Sequence, residues 1–262
     1  MEPWRLVMAD DRDPFLLDAS PVLAETIGEA VARGDAPPTL LLRWQHPHVL
    51  LGPADGRLPH LDRAAAWLES VHGLPAYMRI SGGSAVLLDE TTLSFAVAVP
   101  CRDLTRLHDN YQTLLLGLFD ALAGLGVAAR FGEAPGSYCP GPYDLVLGDG
   151  RKIAGVAQAL RRGFAEVGGM LLLGQDPVKA VRILEGFYEQ AGGPRRFDPA
   201  SVTSLSAVLG RPVDRREAAE AIIAAYAARV RLEPGELTAA ERARARALLE
   251  VRRVRARPAV LP

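Results

Sequence analysis

Two residues suited to nucleophilic and charge-stabilising chemistry, Cys139 and Lys152, stand thirteen positions apart in "GSYCPGPYDLVLGDGRKIAG", Gly136 to Gly155. Cys139 is one of two cysteines in the chain, and Lys152 is one of two lysines among thirty basic residues. A thiol attacks as thiolate, and at a free pKa of about 8.5 only a few per cent is ionised at neutral pH; a neighbouring cation raises that share. An ammonium can also donate to an acyl oxygen as negative charge builds on it, and unlike a guanidinium it can release its proton. From the residues alone, Lys152 reads equally well as an exposed turn residue, and a free cysteine is commonly a small buried hydrophobe. Gly136, Pro140, Gly141 and Pro142 nevertheless make an irregular loop around Cys139, and loops carry reactive groups more often than cores do.

A second candidate is "RISGGSAV", with Arg79, Ser81, Gly82, Gly83 and Ser84. Two glycines let backbone N–H groups approach a ligand closely, and Arg79 beside them can position an anionic or polar group; a plain hairpin turn is the competing reading. Cys101, directly after "LSFAVAVP", reads as a packing residue, and no disulfide is expected. The histidines at 46, 48, 60, 72 and 108 are scattered without a metal-ligand spacing, so no metal is expected. No local histidine offers itself as the base of a triad. Neither a Gly-x-Gly-x-x-Gly after a strand nor a Walker loop occurs, and no cofactor is expected.

The elements that must hold these residues follow from periodicity. "WRLVMA" reads as a strand, and "SPVLAETIGEAVARG" as a helix with Ser20 as N-cap, Pro21 at the first position and Gly34 at the end. "TLLLRW" and "HVLLG" read as a hairpin, and "LPHLDRAAAWLESVHG" as a helix ending at Gly73. "AYMRI", "AVLLD" and "LSFAVAVP" are strands meeting at the glycine loop. Tyr111, Leu114, Leu115, Leu118, Phe119 and Leu122 recur at helical spacing and predict one long helix. "YDLVLGDGRKIAGVAQAL" and "GFAEVGGMLLLG" give three strands, the first two joined at a Gly-Asp-Gly turn that can return Lys152 toward the Cys139 loop. Beyond Asp176 the chain turns helical, with starts at Asp176-Pro177, at Asp214 with Glu217, and at Thr238 with Glu241, and "GGPRRFDPAS" is the best internal linker. The pattern is α+β: a mixed, largely antiparallel sheet flanked by helices, with a helical C-terminal part. We expect a single catalytic domain over 1–262 whose helical extension begins at about 212.

The chain has 262 residues, 49% hydrophobic and 23% charged, with a formal net charge of -1. That balance offers no electrostatic case for nucleic acid or an anionic membrane. The arginine-rich end, "RARARALLEVRRVRARPAVLP", is offset by acids elsewhere and reads as a solvated helix face. No apolar run is long enough to span a bilayer, and "MEPWRLVMADDRD" lacks a basic and then apolar leader, so a cytoplasmic protein without membrane partners is expected.

In combination, "RISGGSAVLLDE" and "GRKIAGVAQ" resemble the lipoate/biotin protein ligase superfamily, in which the first loop lines the acyl pocket and the lysine of the second contacts the acyl carbonyl. Within it, "LRWQHPHVLLGPADGRLPHL", "GSYCPGPYDLVLGDGRKIAGVAQ" and "EGFYEQA" look most like the octanoyl-[glycine cleavage H-protein]:protein N-octanoyltransferase branch. The resemblance runs over roughly Trp4 to Leu249. It implies an acyl relay in protein lipoylation: Cys139 takes octanoyl from a lysine of the glycine cleavage H-protein as a thioester and passes it to a lysine on a lipoyl domain of a 2-oxoacid dehydrogenase. It also implies Lys152 at the acyl carbonyl, with Arg79, Ser81, Gly82, Gly83, Ser84 and Gly155 around the substrate. Two alternatives stay open, an octanoyl-acyl-carrier-protein-dependent octanoyltransferase and an ATP-dependent lipoate-protein ligase. Against the ligase stand the loop cysteine and "FAEVGGMLLL", which replaces the His-Gly pattern usual on the strand after the ligases' lysine. A non-catalytic carrier-binding protein of the same fold is the third reading.

Overall fold

The structure, a computed structural model, describes residues 3–255. In chain order its elements are β1 (Trp4–Ala9), α1 (Pro14–Arg33), β2 (Thr39–Arg43), β3 (His48–Leu51), α2 (Leu61–His72), β4 (Ala76–Met78), β5 (Val86–Leu88) and β6 (Thr92–Cys101). Then come α3 (Leu107–Leu114), α4 (Leu116–Gly124), β7 (Arg130–Phe131), β8 (Leu145–Val146), β9 (Lys152–Arg161), β10 (Gly163–Leu172) and α5 (Pro177–Gln190). The chain finishes with α6 (Leu205–Leu209), α7 (Arg215–Ala227), β11 (Leu232–Pro234), α8 (Ala239–Arg252) and β12 (Arg253–Val254). The fold class is α+β, as the element pattern indicates.

An eight-stranded sheet in the order β11-β1-β2-β6-β10-β9-β8-β7 is antiparallel except where β1 pairs with β2 and β11. The second sheet, β12-β4-β3-β5, has one parallel pair, β3 with β4. Alternation along the central strands serves two cores. Leu93, Phe95 and Val97 of β6 face a core shared with α3, α4 and α7, while Ala96 and Ala98 face α1 and α8. The second sheet buries its own core against α2 and α5. The small residues on the α1 face let that helix lie close to the sheet.

Several expectations are corrected by the structure. α1 starts at Asp13-Pro14, not Ser20-Pro21: the Asp13 carboxylate accepts the Phe15 N–H at 3.1 Å, and Pro21 sits inside the helix. Burial of one long helix on the sheet outweighs the single hydrogen bond that Pro21 cannot donate. The expected hairpin is absent because both edges of β2 are taken, by β1 and β6, so β3 enters the other sheet. The buried Gln45 holds that corner, donating to Thr92 Oγ1 at 2.8 Å. β4 and β5 do not meet at the glycine loop as neighbours; both pair with β3, and the loop crosses over its end.

The long helix expected after Cys101 breaks at Leu115, where the Tyr226 hydroxyl donates to the Leu114 carbonyl at 2.5 Å. Periodicity could not reveal a break whose freed carbonyl is satisfied from α7. At Asp214 only half of a capping box forms, since the Glu217 carboxylate turns instead to Arg211; Thr238 and Glu241 form the complete one. The arginine-rich helix is more than a solvated face, because Arg242, Arg244 and Arg252 of α8 pair with Asp13, Glu29 and Glu25 beside or on α1. The remainder of that run, 256–262, lies outside the described residues. Among the described residues no helix is long and apolar enough to cross a membrane.

Candidate active site

The Cys139 loop is built to present its sulfur. Its preceding residue, Tyr138, is fully buried with its hydroxyl donating to Gln175 Oε1 at 2.7 Å, and Gly136 at φ 83° is tied through its carbonyl to the Asp198 N–H at 2.8 Å. Between these anchors Cys139 adopts φ 48°, a left-handed conformation found at no other non-glycine residue among the described ones. Such a conformation is sparsely populated for a side chain bearing Cβ and persists where the surroundings impose it. The sulfur accepts the Ser84 N–H at 3.1 Å and lies 3.6 Å from Arg79 Nη2. Cys101 is buried at the end of β6, and both cysteines are free.

Arg79 organises the glycine loop. Its guanidinium donates to the carbonyls of Leu50, Gly82 and Ser84 at 3.1, 2.9 and 2.8 Å, which folds the loop around the arginine and turns the Ser84 N–H toward the sulfur. Gly83, at φ 95°, makes the approach possible: a Cβ there would lie 2.6 Å from the Cys139 sulfur. Behind the loop, the buried Tyr188 of "EGFYEQA" accepts the Ala85 N–H at 3.0 Å and donates to Asp55 Oδ1 at 2.9 Å.

Lys152, the first residue of β9, is returned by the Gly-Asp-Gly turn to the underside of the Cys139 loop, where it is completely buried. Its ammonium donates to Asp144 Oδ2 at 2.8 Å and to the backbone carbonyls of Cys139 and Tyr138 at 2.8 and 3.2 Å. It therefore holds the backbone of Cys139 rather than its sulfur. Asp144 also accepts the N–H groups of Gly141 and Val156, and burial raises its carboxyl above the ordinary carboxylate range even with the ammonium beside it. Gly155 completes the arrangement, since a Cβ there would come within 3.3 Å of the Lys152 ammonium.

These groups open on a pocket between the α1 face of the large sheet and the small sheet. Cys139, Lys152, Gly155, Arg79 and Ser81 line it together with apolar Leu50, Ile80, Val86, Leu88 and Met170. Gly82, Gly83 and Ser84 do not line it; Gly83 and Ser84 act on the sulfur, and Gly82 supplies a carbonyl to Arg79. On the far side stand Glu25, Arg43 and Glu166, and burial pushes the Glu166 carboxyl up to about 7. Asp144, Tyr188, Asp55 and Glu166 went unread in the sequence. The available signal for Asp144 was a carboxylate opening the apolar run "DLVL" just ahead of an isolated lysine; Glu166 interrupts the apolar "FAEVGGMLLL".

A half-buried, backbone-held cysteine facing an apolar pocket with an adjacent ammonium is suited to holding an acyl group as a thioester and stabilising charge on its carbonyl oxygen. Among the described residues no group of three His, Cys, Asp or Glu side chains could hold a metal ion.

Comparison with known proteins places the chain in a family. The family model of the lipoyl protein ligase A/B catalytic domain matches residues 22–227. An octanoyl-[GcvH]:protein N-octanoyltransferase of Kyrpidia tusciae is 33% identical over 88% of this chain and 83% of its own. The enzyme of the same name from Geobacillus kaustophilus is 32% identical over 79% and 76%. In three dimensions, a bipartite lipoate protein ligase from Thermoplasma acidophilum superposes with a TM-score of 0.69 at 20% identity, covering 95% of this chain and 93% of that one. A lipoate-protein ligase A bound with ATP gives 0.71 at 21%, covering 95% of each. The chain, with a matched catalytic domain that contains both the cysteine loop and the buried lysine, belongs to the lipoyl protein ligase A/B catalytic-domain family.

Proposed function

We propose that this chain is an octanoyltransferase of protein lipoylation that works through an acyl-cysteine. The donor is the octanoyl-lysine of glycine cleavage H-protein, and the acceptor is a lysine on the lipoyl domain of a 2-oxoacid dehydrogenase. The Cys139 thiolate attacks the amide carbonyl carbon, the carbon–nitrogen bond breaks, and the donor lysine leaves as an amine after taking up a proton. The acceptor amine then attacks the thioester, the carbon–sulfur bond breaks, the amine gives up a proton in place of the one the donor took, and the thiolate is restored. One amide replaces another, so no nucleotide is consumed.

The observation that carries this reading is the sulfur of Cys139, fixed by the Ser84 N–H at the wall of an apolar pocket that Lys152 shares. The Ser84 N–H and the Arg79 guanidinium stabilise negative charge on sulfur. Lys152 reaches the acyl oxygen by exchanging one of its carbonyl contacts for it, with Asp144 keeping the ammonium in place. The names of the relatives support the H-protein as donor, and we place this work on two protein substrates in the cytoplasm.

Intact-mass spectrometry after mixing the protein with octanoylated H-protein tests this. Wild type gains one octanoyl group on Cys139, and Cys139→Ala gains none and transfers none. A wild-type protein that stays unmodified refutes the relay. A Cys139→Ala variant that charges a lipoyl domain from free octanoate and ATP identifies a ligase instead.

A further inference from the structure

The pocket does not end as a simple apolar slot. Register places Gly155, Met170, Ser94 and Arg43 in one row across β9, β10, β6 and β2, and Glu166 four residues along β10 from Met170. Arg43 is 6% exposed and Glu166 5%. Arg43 spends Nη1 on the Ser20 carbonyl at 2.7 Å, while its buried Nε has no partner among the described residues. Glu166 has neither a hydrogen-bond nor an ion-pair partner among the described residues, and Arg43, Arg79 and Arg161 act on it only through space. The other acid of this wall, Glu25, is occupied by Arg252 at 2.5 and 2.8 Å.

The Glu166 carboxylate folds back toward the reactive end. A Cβ on Gly168 would meet Glu166 Oε1 at 2.5 Å, which puts the carboxylate over Gly168, two residues nearer Met170 than its own backbone. At about 3.3 Å per residue, that is roughly 7 Å along the strand from the row containing Gly155. A saturated chain that ran into this carboxylate would strip its water and offer nothing in return, and would leave the Arg43 Nε, already closed to water, as unpartnered as before, a larger loss than two further buried methylenes recover. A hydroxyl at the same depth can donate to the carboxylate and accept from the guanidinium.

We propose that Glu166 and Arg43 read the distal end of the acyl chain, admitting unsubstituted chains that stop short of them and, among longer chains, favouring those that end in a group able to donate and accept hydrogen bonds. This rests on the pocket being the acyl site of the proposed function.

The test compares H-protein carrying octanoyl, decanoyl or 10-hydroxydecanoyl groups, with the initial rate of adduct formation on Cys139 followed by mass spectrometry. Wild type loads decanoyl about tenfold more slowly than octanoyl and regains most of that with the terminal hydroxyl. Glu166→Leu raises the decanoyl-to-octanoyl ratio about tenfold and abolishes the advantage of the hydroxyl, whereas Glu166→Gln, which keeps an acceptor, retains that advantage. Equal loading of decanoyl and 10-hydroxydecanoyl by wild type overturns the proposal, whether or not the leucine variant folds. Calorimetric binding of free decanoic and 10-hydroxydecanoic acids to Cys139→Ala reads the pocket floor without the relay. A failed relay with a clear preference for the hydroxy acid would refute the proposed function and leave the floor standing; equal binding would refute the floor.

Discussion

Replacing Gly83 by alanine should cripple transfer while leaving the protein folded. The backbone there has φ 95°, and an alanine held in so unfavourable a conformation costs about 1–3 kcal/mol. In a domain of this size each kcal/mol lowers Tm by about 2–4 °C, so a fall of roughly 2–12 °C is expected. The functional loss is separate. The new Cβ would stand 2.6 Å from the Cys139 sulfur and 2.8 Å from Arg79 Nη2. Ordinary non-bonded contacts lie near 3.5–4.0 Å, so the sulfur must retreat by about 1 Å. A displacement of that size at a reacting atom costs about 10²-fold in rate. Rapid-quench mass spectrometry of the octanoyl adduct, beside a thermal melt, measures both effects. Gly82→Ala is the internal control: no heavy atom lies within 4 Å of its added Cβ and its φ is outside the left-handed range, so its rate should stay within about twofold of wild type. A Gly83→Ala protein that loads at the wild-type rate, or a Gly82→Ala protein equally impaired, would refute the crowding argument.

Two further outcomes follow from the buried charges. Lys152→Met and Asp144→Asn each leave a partner without its counter-ion in the interior and should each cost about 3–5 kcal/mol in urea denaturation; the double variant should cost less than the sum, and additivity within about 0.5 kcal/mol would show that the pair is not coupled. The Glu166 carboxyl, raised by burial from an ordinary 4.5 to about 7, binds its proton more tightly in the folded protein than in the unfolded one. Its contribution is therefore fully present below pH 4.5 and lost as pH rises through 7, a change of about 3 kcal/mol relative to Glu166→Gln; parallel pH profiles of the two proteins would contradict this.

Much of this molecule was legible in its order of residues. β1, the terminating glycines of α1 and α2, the helix start at Asp176-Pro177 and the hairpin bringing Lys152 under Cys139 all depend on neighbours a few residues apart, and local stereochemistry is written locally. The motif at Arg79–Ser84 and the cysteine among glycines and prolines could likewise be picked out, because unusual residues in an irregular stretch stand out against periodic surroundings.

Tertiary structure alone decided what those residues touch. Lys152 turned out to grip Asp144 and the backbone of Cys139, and the two glycines of one motif received opposite roles, one pressed against the sulfur and the other facing open space. The partner of β3, the break at Leu115 and the charged floor of the pocket likewise depend on segments tens to more than a hundred residues away. Backbone propensity acts over a few bonds, whereas burial, close approach and charge pairing act through space, and only the folded chain brings such distant groups within reach of one another.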